Sequence, residues 1–125
     1  MTIKEKTLKM KKWAVVGATD KTGKFGYKIF KRLLEHGYEV YPVNPNIDYI
    51  EGHICFNSIS EIEQSIDVVD MVVNPEIGIS VMKEISERDI EYVWLQPGAR
   101  SERIKNYAEK KGINIIEDCI YATLE

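Results

Sequence analysis

Short apolar runs at residues 13–16, 39–43, 67–73, 92–95 and 113–116 alternate with stretches whose apolar residues recur at helical spacing. Runs of this length suit buried strands, and the intervening periodicity suits amphipathic helices. Strand–helix alternation leaves few architectures open: the strands run parallel and helices cover both faces of the sheet. The expected fold is therefore α/β, a single Rossmann-like domain with a mostly parallel five-stranded sheet. A short edge strand near Ile54 would make it six-stranded. Right-handed crossovers give an expected spatial order of 3-2-1-4-5.

The helical windows carry their own punctuation. From Lys24, the residues Gly26, Ile29, Phe30 and Leu33 fall on one face, and Gly37 is placed to end the helix. Ser58 and Glu61 have capping-box spacing ahead of Ile62 and Ile66. Asn74-Pro75-Glu76 combines a cap, a proline suited to the first turn and an early acid, with Val81, Met82 and Ile85 as the buried side. Ser101 and Gly112 bracket a further helix with Ile104, Tyr107 and Ala108 inward. Residues 1–12 read as a polar lead-in to one domain spanning 1–125, with Ile3, Leu8 and Met10 available to dock; residues 117–125 fit no pattern. Asp70 lies inside a strand, as a satisfied buried group or an edge residue, and Trp94 reads as core.

Charge and cysteine usage narrow the function classes. Residues 1–12 contribute +4 and the remainder −7 to a net charge of −3. Within that acidic body, Lys21, Lys24, Lys28, Lys31 and Arg32 cluster on one loop and its helix, a solvated face or a local attraction for anions. An acidic body without a basic stripe argues against nucleic acid. No apolar run approaches the roughly 20 residues that span a bilayer, so no membrane role is expected. Two cysteines, Cys55 and Cys119, suit a reducing, cytoplasmic setting better than a disulfide framework. The two histidines have no metal-ligand spacing, and no nucleophile, base and orienting acid come together, so neither metal nor catalytic residues are assigned. Cys119 follows Glu117 and Asp118, an acidic setting that disfavours a reactive thiol.

In an open parallel sheet, ligands bind beyond the carboxyl ends of the strands. Those ends read Gly17-Ala18-Thr19, Asn44-Pro45, Asn74-Pro75 and Gln96-Pro97. The first opens into a loop and helix that suit a phosphate. A P-loop has four residues between its glycines, whereas Gly17 and Gly23 enclose five, and Phe25 rather than Ser or Thr follows Lys24. The dinucleotide fingerprint also fails, because Thr19 occupies its second glycine position. The second strand ends at Asn44-Pro45 without the acid that a nicotinamide cofactor's ribose usually meets. An acid-free rim instead tolerates phosphate near the ribose, as in coenzyme A.

Val15-Val-Gly-Ala-Thr19, His36-Gly-Tyr-Glu-Val40, Pro42-Val-Asn-Pro45, Val93-Trp-Leu-Gln-Pro-Gly98 and Ala108-Glu-Lys-Lys-Gly112 together resemble the stand-alone CoA-binding domain family. That family is similar to the N-terminal CoA-binding domain of the succinyl-CoA synthetase α subunit, and the resemblance covers residues 10–118. It implies non-catalytic binding of coenzyme A or an acyl-CoA, with a partner protein or a second copy of the chain as an assembly partner. Gly17, Ala18, Thr19 and Lys24 would face the phosphates, and Asn44 and Pro45 would lie beside the adenosine. Asn74 and Pro75 would stand across the crevice, with Gln96 and Pro97 near the pantetheine path. The resemblance also implies an absence: the synthetase's phosphorylated histidine belongs to a second domain, which is not expected here. Two departures stand out: relatives usually carry Ser at Thr19, and many end in an Asp-Arg-Cys-Pro type segment where this chain reads Asp118-Cys119-Ile120-Tyr121. The alternative is an NAD(P)-binding redox enzyme or sensor on the same fold.

Overall fold

The computed structural model describes residues 1–125. Its elements in chain order are α1 (Ile3–Leu8), β1 (Lys12–Val16), α2 (Phe25–Glu35), β2 (Glu39–Val43), β3 (Tyr49–Ile50), β4 (His53–Ile54), a 3-10 turn (Ile59–Glu61), β5 (Val68–Met71), α3 (Pro75–Glu87), β6 (Tyr92–Leu95), α4 (Glu102–Lys111), β7 (Asn114–Ile116) and α5 (Ile120–Thr123). Five strands form one parallel sheet in the order β2-β1-β5-β6-β7. Register sets Val15, Asp70 and Trp94 side by side across its centre.

Alternation along the strands divides the core into two layers. Ala14, Val16, Val69, Met71, Val93 and Leu95 face the layer that contains Val81, Met82, Ile85 and Ile104 of α3 and α4. Trp13, Val15, Val68, Trp94 and Ile116 face the opposite layer with Ile29, Phe30 and Leu33 of α2 and Ile120 of α5. Burial on both faces explains why the strands read as continuous apolar runs.

Helix signals in the sequence hold at α2, α3 and α4. The buried face of α2 is Gly26, Ile29, Phe30 and Leu33, and Gly37 follows its C-cap at φ 85°. Asn74 caps α3 by accepting from the Ile77 N–H, and Ser101 caps α4 by accepting from the Ile104 N–H. Gly112 ends α4 in the left-handed conformation that glycine adopts without steric cost.

Four local expectations are corrected. Among the five sheet strands the order is 2-1-3-4-5, and the outer neighbour expected beside β2 is reduced to one parallel bridge, Val43 to Phe56. The segment between β2 and Phe56 contains no helix. It folds instead into an antiparallel hairpin, β3 with β4, turning at Glu51 and Gly52 with positive φ at both. At Ser58, the hydroxyl pairs with Ser60 rather than capping a helix, and only the 3-10 turn forms, although Ile59, Ile62 and Ile66 are buried.

Residues 1–12 are not a simple lead-in. Thr2 and Glu5 form a reciprocal capping box that starts α1. Thr7 is fully buried, and its hydroxyl accepts the Trp94 indole N–H at 2.9 Å. Leu8 and Met10 dock on the core, while Ile3 stays exposed. At the other end, α5 is clasped by Arg32, whose guanidinium donates to the Tyr121 and Leu124 carbonyls and lies 3.9 Å from the Tyr121 ring centroid.

Candidate functional site

Beyond the carboxyl ends of the strands, the chain makes three adjoining cavities. Their geometry begins at Gly17, which leaves β1 at φ 99° and donates its N–H to Val43 at 3.0 Å. A Cβ there would stand 2.7 Å from the Val72 carbonyl oxygen. Gly26, in the first turn of α2, is held still tighter, because its Cβ would reach 2.1 Å from the Gly17 carbonyl oxygen. Two glycines therefore let α2 dock directly onto the strand exit, as helix–strand packing in nucleotide-binding turns requires.

Lys24 caps α2 without a side-chain hydrogen bond, whereas Asn74 and Ser101 fill that position for α3 and α4. The Phe25 and Gly26 N–H groups and the positive end of the helix dipole are thus left at the loop, while the Tyr27 N–H donates to the Lys24 carbonyl. Thr19 turns inward and its hydroxyl accepts the Lys21 N–H at 3.3 Å. Gly17, Thr19, Lys21, Lys24, Phe25, Asn44 and Pro97 line a cavity of about 440 Å³ here, with two lysines and no acid.

Asn44 fastens this loop to the end of β2. Its Nδ2 donates to the Ala18 carbonyl, and its Oδ1 accepts the Asn46 N–H, both at 2.9 Å. On its far side lies a cavity of about 370 Å³, bounded by Gly17, Asn44, Pro45 and Asn46 on one wall and by Ile77, Ser80, Val81 and Glu84 of α3 on the other. Gly17 and Asn44 line both cavities, so the two adjoin. A third, of about 130 Å³, is lined by Phe25, Ile29, Val72, Gln96, Pro97 and Cys119, and it shares Phe25, Val72 and Pro97 with the lysine-lined one.

The sequence-assigned residues separate into three groups. Gly17, Thr19, Lys24, Asn44, Pro45, Gln96 and Pro97 line one or more of these cavities. Ala18 is buried and contributes its carbonyl to Asn44. Asn74 and Pro75 line none of the three; the Asn74 carboxamide oxygen is occupied by the cap of α3, and the wall is made one turn later. Ile77, Ser80, Val81 and Glu84 were missed, although their i, i+3, i+4, i+7 spacing from the proline start marks one helical stripe.

Behind the third cavity, Asp70 is fully buried in β5. Gln96 Nε2 donates to one of its oxygens, Gln96 Oε1 accepts the Ile120 N–H at 3.2 Å, and Asp70 Oδ2 has no partner. Burial pushes the Asp70 carboxyl up to about 8, only partly offset by the Gln96 hydrogen bond. Of the two thiols, Cys55 is buried and burial raises its pKa, while Cys119 is partly exposed.

Comparison with known proteins bears on the fold and the family. A structure of a conserved hypothetical protein from Pyrococcus furiosus is 43% identical, with a TM-score of 0.87 over 91% of this chain and 99% of that one. An uncharacterised protein of Bacillus subtilis (strain 168), YneT, is 34% identical over 94% of this chain and 88% of its own length. An ADP-forming acetate–CoA ligase of Methanocaldococcus jannaschii is 31% identical over 82% of this chain, which spans only 16% of that ligase. The model of the CoA-binding domain family matches residues 11–125, and the chain belongs to that family.

Proposed function

We propose that the protein binds coenzyme A or an acyl-CoA along the three cavities and catalyses no acyl transfer by itself. The observation that carries this reading is their order. A roomy cavity between the β2 exit and α3 suits the adenosine, the lysine-lined loop at the free end of α2 suits the pyrophosphate, and the narrow cavity at Gln96 and Pro97 suits the pantetheine arm. Gly17, Ala18, Thr19 and Lys24 hold the phosphates in this reading, with Asn44 and Pro45 at the adenosine and α3 supplying the opposite wall. An assembly partner would supply chemistry, by analogy with the ligases of which this chain matches a part.

A thermal-shift panel tests the reading. At about 100 times its dissociation constant, coenzyme A should stabilise the fold by about 2.7 kcal/mol, a rise of roughly 10 °C in Tm for a domain of this size. Dephospho-CoA should give a smaller rise, and ADP and NADH little. Equal rises from coenzyme A and ADP would reduce the site to a general nucleotide crevice; a rise from NADH alone would favour a redox cofactor.

A further inference from the structure

We propose that the narrow cavity is a thiol-exchange site, where Cys119 forms a mixed disulfide with coenzyme A delivered as a disulfide. The inference rests on the coenzyme A reading above. Cys119 is part of the wall of a cavity of about 130 Å³ that adjoins the lysine-lined loop through Phe25, Val72 and Pro97. That volume admits the thiol end of a pantetheine arm and excludes a nucleotide. A ligand anchored by its phosphates at the loop therefore brings its sulfur end towards Cys119.

A second feature marks the same place. Asp70 lies two residues before Val72 on the same face of the strand and accepts from Gln96, and both of those neighbours line the cavity. Its other oxygen has no protein partner although the residue is fully buried. Gln96, held from behind by Asp70, thus supplies a carboxamide to the wall of a mostly apolar cavity, which suits the amide-bearing arm of pantetheine better than an alkyl chain.

The acids that precede Cys119 in sequence do not make its setting anionic. Asp118 is paired with Lys4 at 2.5 Å and accepts the Cys119 N–H, and Glu117 lies 3.5 Å from Lys105. On the next turn, Arg32 stacks on Tyr121 with Lys28 also within 5.9 Å of that ring. Cys119 itself is partly exposed, so a disulfide can reach its sulfur. Cys55 has no such setting, being buried with Sγ 3.8 Å from the Asn44 carbonyl oxygen.

The exchange balances without an outside oxidant. Cys119 Sγ, as thiolate, attacks the coenzyme A sulfur of CoA–S–S–R; the bond between the two disulfide sulfurs breaks, and R–S⁻ departs and takes up the proton that Cys119 released. The products are Cys119–S–S–CoA and R–SH.

Intact-mass spectrometry after incubation with coenzyme A disulfide tests this. One coenzyme A adduct is expected on the wild type and on Cys55→Ser, removable by dithiothreitol and absent from Cys119→Ser. Docking raises the local disulfide concentration, so glutathione disulfide at equal concentration should react about tenfold more slowly or less. No adduct on the wild type, equal rates with both disulfides, or an adduct retained by Cys119→Ser would overturn the proposal. Stabilisation of the wild type by reduced coenzyme A separates the two readings: if it is seen where the wild type takes no adduct, only the exchange site falls, and if it too is absent, the binding reading falls with it.

Discussion

Gly26→Ala should lower the melting temperature by roughly 10 °C or more and abolish stabilisation by coenzyme A. The added methyl would stand 2.1 Å from the Gly17 carbonyl oxygen, a backbone atom that cannot rotate away. Relief requires α2 to back off from the exit of β1, and overpacking of this kind costs about 1–3 kcal/mol, occasionally more. With both partners in the main chain, the upper end applies, and each kcal/mol moves Tm by roughly 3–5 °C at this size. The same displacement spoils the loop between them, so binding falls together with stability. Gly23→Ala is the matched control: nothing lies within 4 Å of its Cβ position, and the substitution should change Tm by no more than a few degrees. Scanning calorimetry of the two variants, with and without coenzyme A, checks both statements. A Gly26→Ala protein with wild-type Tm and binding would show that the close approach of helix and loop is not what shapes the site.

Asp70→Asn should stabilise the protein above neutral pH and flatten its pH dependence. The folded-state carboxyl titrates near 8 because it is buried, against 3.8 in its ordinary state. Between those values the folded chain holds a proton that the unfolded chain has released, so stability falls as pH rises through that window and levels off above the folded value. Each pH unit is worth about 1.4 kcal/mol, and the whole window amounts to several kcal/mol, a large share of the roughly 5–15 kcal/mol that holds a domain together. Asparagine keeps an acceptor for Gln96 without the ionisation. Urea unfolding should therefore show the variant's stability relative to wild type rising by several kcal/mol between pH 5 and pH 8.5. A wild-type stability that is flat from pH 5 to 8.5 would contradict the assignment.

What was legible in the chain is what is encoded locally. The strands advertise themselves because burial on both faces makes them mostly apolar, and α3 and α4 because their caps sit next to their first turns. The features that were misread depend on distant partners. Six residues make α1, too few to show a period, and its one fully buried side chain, Thr7, finds its partner in Trp94, 87 positions away. Ser58 has the spacing of a cap, but its hydroxyl pairs with Ser60 and only a 3-10 turn forms. Asp70 could not be placed until the register put it between Val15 and Trp94.

The site divides in the same way. Glycine spacing and the acid-free end of β2 pointed to the loop and to Asn44, which line adjoining cavities. Asn74 looked like a ligand residue because it ends a strand, yet a carboxamide in that position is first of all a helix cap, and the wall passes to Ile77, Ser80 and Glu84. The counterions of the two acids before Cys119, Lys4 and Lys105, come from α1 and α4 and could not be read from the local sequence.

The most direct test of the coenzyme A crevice is backbone amide chemical-shift mapping during titration of the labelled protein with coenzyme A. The largest perturbations are expected at residues 17–26, 44–46 and 77–84, with smaller ones at 96–97. Saturable binding that leaves those amides unmoved, with perturbations gathered instead on the opposite edge around α1 and the end of α4, would contradict it.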